Sequence, residues 1–187
     1  MAGQEYITTY TGLKFYPTRP QAEYIRIEDI AHALSLTCRG NGQVKTFFSV
    51  GQHCVNCALE AKARGLSPRM VLACLLHDAS ESYMSDVPRP FKQFLAQYNE
   101  MEKRLLDMIY EKYLGSALTA EEQALLKKID DDMLYFDLKH LLGTEPDAEE
   151  PKVRIDICFD FVPFEKVEKQ YLAVFNEMIR ENGGVQC

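Results

Sequence analysis

The chain has 187 residues, 47% of them hydrophobic and 26% charged, a composition that excludes disordered and collagen-like proteins. At this length one core can bury roughly 70% of the unfolded surface, so folding needs neither disulfides nor a structural metal. With 21 Lys and Arg against 28 Asp and Glu the net charge is -7. That argues against a broad grip on a nucleic-acid polymer, and an anionic small molecule would need a local cluster of Arg, Lys or metal.

The start, Met1 to Tyr10, is polar and lacks the apolar stretch of a secretion signal. The longest apolar run, Met70 to Leu76, is far short of the roughly 20 residues of a membrane span. The cysteines are Cys38, Cys54, Cys57, Cys74, Cys158 and Cys187, most of them inside apolar helical patterns. Reduced thiols in a cytoplasmic protein are the expectation. No strand pair, repeat or low-complexity tract is evident, and the whole of 1–187 reads as one all-α domain, a helical bundle.

Residues 1–23 read as an extended N-terminal segment, punctuated by Pro17 and Pro20. Ile25, Ile27, Ile30 and Leu34 start a helical rhythm that runs to about Leu36, and Cys38 to Gln43 forms a glycine-punctuated loop. Val50, Cys54, Cys57, Ala58 and Ala61 make the apolar stripe of a helix starting near Ser49 and ended by Gly65. Ser67-Pro68 opens the next helix as N-cap and first turn. From Met70 to Leu76 that helix is apolar on every face, as in a helix buried on all sides. Beyond Pro88 and Pro90, a long amphipathic helix is predicted through Phe91, Phe94, Leu95, Tyr98, Met101, Leu105 and Ile109. Thr119 with Glu122 matches a capping box opening a helix that carries Leu125 to Leu142. An acidic loop at 144–163 precedes a last helix from about Phe164 to Ile179.

The chemistry centres on His77-Asp78, which ends the buried helix. A carboxylate there needs a strong partner, either an Arg or a divalent cation. Glu81 follows Asp78 by three residues and His77 by four, so one further helical turn aligns all three. His53 lies at the edge of its helix's apolar stripe, and Asp130 falls on a helix face shared with Leu126, Met133 and Leu134. His53, His77, Asp78 and Asp130 form a mixed nitrogen and oxygen set that suits one divalent ion (Mn, Co, Ni, Fe, Zn or Mg) and leaves positions open for water. The Asp130-Asp131-Asp132 run keeps Asp132 as an alternative ligand. Cys54-Val55-Asn56-Cys57 is a lone CxxC without a second pair or a βαβ setting, and reads as core.

The pattern His53…His77-Asp78…Asp130 resembles the signature of the HD-domain phosphohydrolases. The similarity is greatest to small bacterial and prophage-type members related to 5′-deoxynucleotidases, and covers most of the chain. It is carried by Thr9 to Gly12, Asp29 to Ser35, Cys38-Arg39, Phe48 to His53 and Lys127 to Asp130. Most specific is His77-Asp78-Ala79-Ser80-Glu81 with Asp86-Val87-Pro88-Arg89-Pro90. Ile129 stands where the family has a small residue, and Gln43 where a His commonly contacts substrate.

The resemblance implies metal-dependent hydrolysis of nucleotides, as deoxynucleoside mono- or triphosphates, by attack of a metal-activated water. Glu81 is the candidate for orienting or deprotonating that water, and Asp86 for assisting or protonating the leaving oxygen. Arg39 is the candidate phosphate clamp, because a guanidinium matches phosphate in a bidentate way; Lys92 and Gln43 are further substrate contacts. A competing expectation is a non-catalytic HD module that binds nucleotide or metal as a regulatory unit. Retention of Glu81 and Asp86 speaks against it, since binding alone does not need them. The sequence leaves monomer and homo-oligomer equally open.

Overall fold

The computed structural model describes residues 5–183; Cys187 lies outside the described residues. The fold is an all-α bundle, as the sequence predicts: α1 (Ile27–Leu36), α2 (Val50–Ala63), α3 (Pro68–Leu76), α4 (Glu81–Met84), α5 (Arg89–Lys92), α6 (Ala96–Leu114), α7 (Ala120–Asp137) and α8 (Phe164–Glu181). Among the described residues no helix is long and apolar enough to cross a membrane.

The α3 helix is the axis of the bundle. Every residue from Met70 to Leu76 is buried, and α2, α6, α7 and α8 pack around it. This follows from its composition, since beyond Arg69 no face carries a polar residue to offer to water. Ser67 caps its first turn by accepting from the Met70 N–H at 3.3 Å. At the other end the Tyr171 hydroxyl, on α8, donates to the Leu75 carbonyl at 2.8 Å, satisfying a helix-end acceptor. Ser49 caps α2 in the same manner, through the Gln52 N–H. Gly51 lets α2 approach α1 closely, because a Cβ there would sit 3.1 Å from the backbone of Leu34 and Ser35. The Thr119–Glu122 capping box forms as expected, with both reciprocal bonds present. Beyond Asp137, α7 widens into a π-helical turn at Leu138–Leu142.

Two expectations are corrected. A strand pair does exist: β1 (Ile7–Thr8) pairs antiparallel with β2 (Lys14–Phe15). Two-residue strands are too short to show alternation in sequence. Their turn is held from outside, where buried Asp29 accepts from the Thr11 N–H at 2.7 Å and its hydroxyl at 3.0 Å. The helix predicted from Phe91 onward is two helices, α5 and α6, with a break between Lys92 and Ala96. Side chains stabilise the break: the Asn99 amide donates to the Lys92 carbonyl at 2.9 Å and the Gln93 amide to the Pro90 carbonyl at 2.7 Å. Phe91, on α5, and Phe94, within the break, are exposed, so their apolar rhythm is not a core stripe.

The acidic loop is pinned to the bundle by one carboxylate. Glu60, fully buried on α2, accepts from Arg64 Nε at 2.7 Å and from the backbone N–H groups of Arg154 and Ile155 at 2.8 and 3.1 Å. Glu60→Ala leaves the Arg64 charge short of a partner and two backbone donors unpaired. It is expected to cost about 3–5 kcal/mol, measured as a lower urea midpoint with unchanged slope.

Candidate metal centre and cavity

At the C-terminal end of α3 the backbone continues through tight turns, with the Ala79 N–H bonded to the Leu76 carbonyl and the Glu81 N–H to that of Asp78. His77, Asp78 and Glu81 are thus held within one turn, as their spacing suggests. The His77 Nδ1–H donates to the Cys74 carbonyl at 2.8 Å. That bond fixes the tautomer and aims the Nε2 lone pair away from the helix. His77 Nε2 lies 3.2 Å from Asp78 Oδ2 and 3.7 Å from Asp130 Oδ1. His53, from α2, places Nε2 3.1 Å from the same Asp130 oxygen, and the two imidazole centroids are 5.3 Å apart. All four residues named from sequence therefore converge, brought by α2, the end of α3, and α7.

The cluster has the electrostatics of a cation site. Burial works to raise the Asp130 and Asp78 carboxyls, yet the two imidazoles, with Arg39 beside Asp78, hold both well below the usual carboxylate range. Burial likewise opposes charging of His53 and His77, helped at His53 by Arg39, but Cys57, Asp137 and Asp130 around His53 and Asp78, Cys54 and Asp130 around His77 outweigh it and raise both. Positive charge is what this pocket of carboxylates demands. Among the described residues His53 Nδ1, His77 Nε2 and Glu81 Oε2 are buried without a hydrogen bond, an arrangement that is costly unless another group completes it. The buried His, Cys and Asp groups here can hold a metal ion.

Above the cluster opens a cavity of about 450 Å³, within the range of small-molecule sites, about 300–1,000 Å³. Its charged end is lined by Arg39, Asp78, Glu81, Asp86, Lys92 and Asp130, and its other wall is apolar, including Val44, Pro88, Leu134 and Leu141. Arg39 is no surface residue: Nη2 donates to Asp137 at 3.1 Å and Nη1 lies 3.6 Å from Asp78. Burial opposes its charge, but Asp137 and Asp78 more than compensate and raise its pKa. Glu81 is buried, with Lys92 Nζ 3.4 Å from Oε1. Its pKa is pushed up to about 9, first by burial and then by Asp78 and Asp86. Burial and Asp78 also raise that of Asp86, against the pull of Arg39. Lys92 divides itself between Glu81 and Glu102, the latter at 2.7 Å.

Gln43 is the sequence-named residue that the fold does not bring in. It is exposed and does not line the cavity, where Gly40 and Val44 stand instead. The loop turns through left-handed backbone at Gly40 and Asn41, and Gln43 closes it by donating its N–H to the Gly40 carbonyl.

Two site residues escape the sequence reading. Asp137 is buried, accepts from Arg39, and places Oδ2 3.0 Å from His53 Nδ1, at ion-pair distance though not in a hydrogen bond. Its signal was present: seven residues beyond Asp130 is two helical turns, hence the same face of α7. Arg89, lining the cavity, pairs with Asp130 Oδ2 and with Asp131.

Asp132 points elsewhere. It is buried against Arg64 at 2.9 Å and Lys128 at 3.1 Å, about 200° around α7 from Asp130. Asp130→Asn should therefore lose the metal. Asp132→Asn should keep it and cost about 1–3 kcal/mol of stability through Arg64. Elemental analysis and denaturant melts of the two variants separate these outcomes.

Fold and site together define an all-α protein with a buried, cation-competent imidazole–carboxylate centre beneath a small-molecule cavity. No protein-family model matches the chain. It is 37% identical over 108 residues to the uncharacterized protein YfdR of Escherichia coli, a match that covers 58% of each chain. It is 33% identical over 132 residues to the uncharacterized protein RCAP_rcc00048 of Rhodobacter capsulatus, covering 67% of each. The chain belongs to one family with the Rhodobacter protein.

Proposed function

We propose that this protein is a cytoplasmic, metal-dependent phosphohydrolase that removes phosphate from nucleotides, with deoxynucleoside monophosphates as preferred substrates. The observation that carries the reading is the juxtaposition of His77 Nε2 and Glu81 Oε2, both buried without a hydrogen bond among the described residues, with a cavity that also holds Arg39 and Lys92. His53, His77, Asp78 and Asp130 would hold one divalent ion, which supplies Lewis acidity toward a phosphoryl oxygen and toward water.

The remaining steps belong to the chain's own side chains. Arg39 binds phosphoryl oxygens through its guanidinium edge, held in place by Asp137. Glu81, steadied by Lys92 at Oε1, handles the proton of the attacking water at Oε2. Asp86, with its raised pKa, returns a proton to the leaving oxygen. The apolar wall receives the nucleoside and excludes competing water.

Charge balance favours a monophosphate. The cavity is lined by Asp78, Glu81, Asp86, Asp130 and Asp137 against only Arg39, Arg89 and Lys92. Each of those cations already faces a carboxylate, so little positive charge is left for a triphosphate tail. The deoxy preference rests on the sequence resemblance.

The test is a colorimetric phosphate-release screen of nucleoside mono- and triphosphates, with Mn, Co, Ni, Fe, Zn and Mg added in turn. Orthophosphate from monophosphates is the expected result. Tight nucleotide binding with no phosphate release under any ion would overturn hydrolysis and leave a binding module.

A further inference from the structure

We propose that the centre contains two overlapping donor sets, and that Cys57 makes the inner one a closed site for a thiophilic divalent ion such as zinc or cadmium. This rests on the metal centre of the proposed function and is independent of the reaction.

The outer set is His53, His77, Asp78 and Asp130. The inner set keeps His53, His77 and Asp130 and exchanges Asp78 for Cys57. Cys57 lies one helical turn beyond His53 on α2 and brings Sγ to 3.5 Å from His53 Nε2. One donor atom each from His53, Cys57 and His77 fall within 4.8 Å of one another. Asp130 Oδ1 stands beside both imidazoles, 3.1 Å from His53 Nε2 and 3.7 Å from His77 Nε2, and would be the fourth donor. Ligands at about 2.0–2.3 Å from an ion place tetrahedral donors about 3.3–3.7 Å apart. The three edges His53–Asp130, His53–Cys57 and His77–Asp130, at 3.1, 3.5 and 3.7 Å, lie near that spacing before any relaxation.

The two sets differ in access. Asp78 lines the cavity, so an ion on the outer set keeps a face open to water and substrate. Cys57 is 1% exposed and lies on the interior side. An ion on the inner set has four protein ligands and no open position, the pattern of a structural zinc site. They also differ in chemistry: carboxylate and water suit magnesium and manganese, while thiolate selects softer ions. Cys54 falls in a different trio, with His77 and Asp78, and does not join both imidazoles. Hard ions therefore leave the centre competent, and thiophilic ions settle deeper and silence it. The lone CxxC, which in sequence reads as core, gains a reason for its second cysteine.

The test uses the full chain, stripped of metal, with Cys38, Cys158 and Cys187 changed to Ser so that these three thiols do not report. Cadmium titration should produce an ultraviolet thiolate-to-cadmium absorption that saturates at one ion per chain. Cys57→Ser should remove the band and weaken zinc and cadmium binding at least tenfold in chelator competition, while manganese affinity changes less than twofold. Cys54→Ser should keep the band. Asp78→Asn should also keep the band while losing manganese, which preserves the test if Cys57 substitutions fail to fold. No band in the parent chain, or a band untouched by Cys57→Ser, overturns the proposal. A Cys57-dependent band in a protein that releases phosphate from no substrate sustains the inner site and overturns only the hydrolytic reading.

Discussion

His77→Ala is expected to give a folded protein that retains no metal ion and releases no phosphate. The wild type should carry close to one ion per chain. His77 contributes an imidazole already set by the Cys74 carbonyl into the tautomer that leaves Nε2 for a cation. Loss of an orienting partner behind a ligand typically costs 10–100-fold in metal affinity, so loss of the ligand itself should exceed ~100-fold. The fold should survive, because the Leu75 carbonyl is tied to Tyr171 independently of the imidazole. Asp78→Ala should share the phenotype. Elemental analysis after dialysis, with circular dichroism as the check on folding, decides the matter; a variant that still holds a stoichiometric ion sinks the ligand assignment. The same centre sets a pH dependence. Its imidazoles have raised pKa values when no ion is bound, so protons compete with metal, and affinity should fall as the pH is lowered.

The second large effect is expected at Glu81. Glu81→Ala should keep the metal and nearly the same substrate affinity while kcat falls by ~10²–10⁴-fold, the usual contribution of a positioned acid or base. The geometry separates this role from ligation. The four donors named for the ion already cluster around the imidazoles, and Glu81 Oε1 faces Lys92. Arg39→Ala should behave differently and raise KM, with kcat following if the clamp tightens in the transition state. Steady-state kinetics and a metal assay on both variants make the comparison. Wild-type turnover from Glu81→Ala would remove its catalytic role.

What sequence made legible, and what it hid, follows from the range of the interactions involved. Helices bounded by local chemistry were readable: Ser49, Ser67 and Thr119 each bond within their own first turn. His77-Asp78 was readable because seven apolar residues ahead of it leave an ionisable pair nowhere solvated to go. The hairpin was not, since its turn is bonded by Asp29 from 18 residues away. Nor was the break after α5, where Gln93 and Asn99 replace lost helix bonds without interrupting the apolar rhythm. Asp137 was only half legible: its spacing of seven from Asp130 puts it on the same face of α7, but does not give its role. Its partners, Arg39 and His53, lie 98 and 84 residues upstream, and only the fold joins them. Gln43 was misplaced because one turn of left-handed backbone at Gly40 and Asn41 decides which neighbour faces inward.

The bond from Tyr171 to the Leu75 carbonyl also bears on the order in which the protein is made. Every candidate metal donor and every residue that lines the cavity lies between Arg39 and Leu142. Yet α3 is apolar on the side that α8 covers, and its terminal acceptor waits for a hydroxyl 96 residues later. During synthesis the complete set of ligands thus emerges well before the helix that seats them. A nascent chain stopped ahead of Phe164 has every donor of the candidate centre and still lacks the helix that covers α3 and satisfies its last carbonyl.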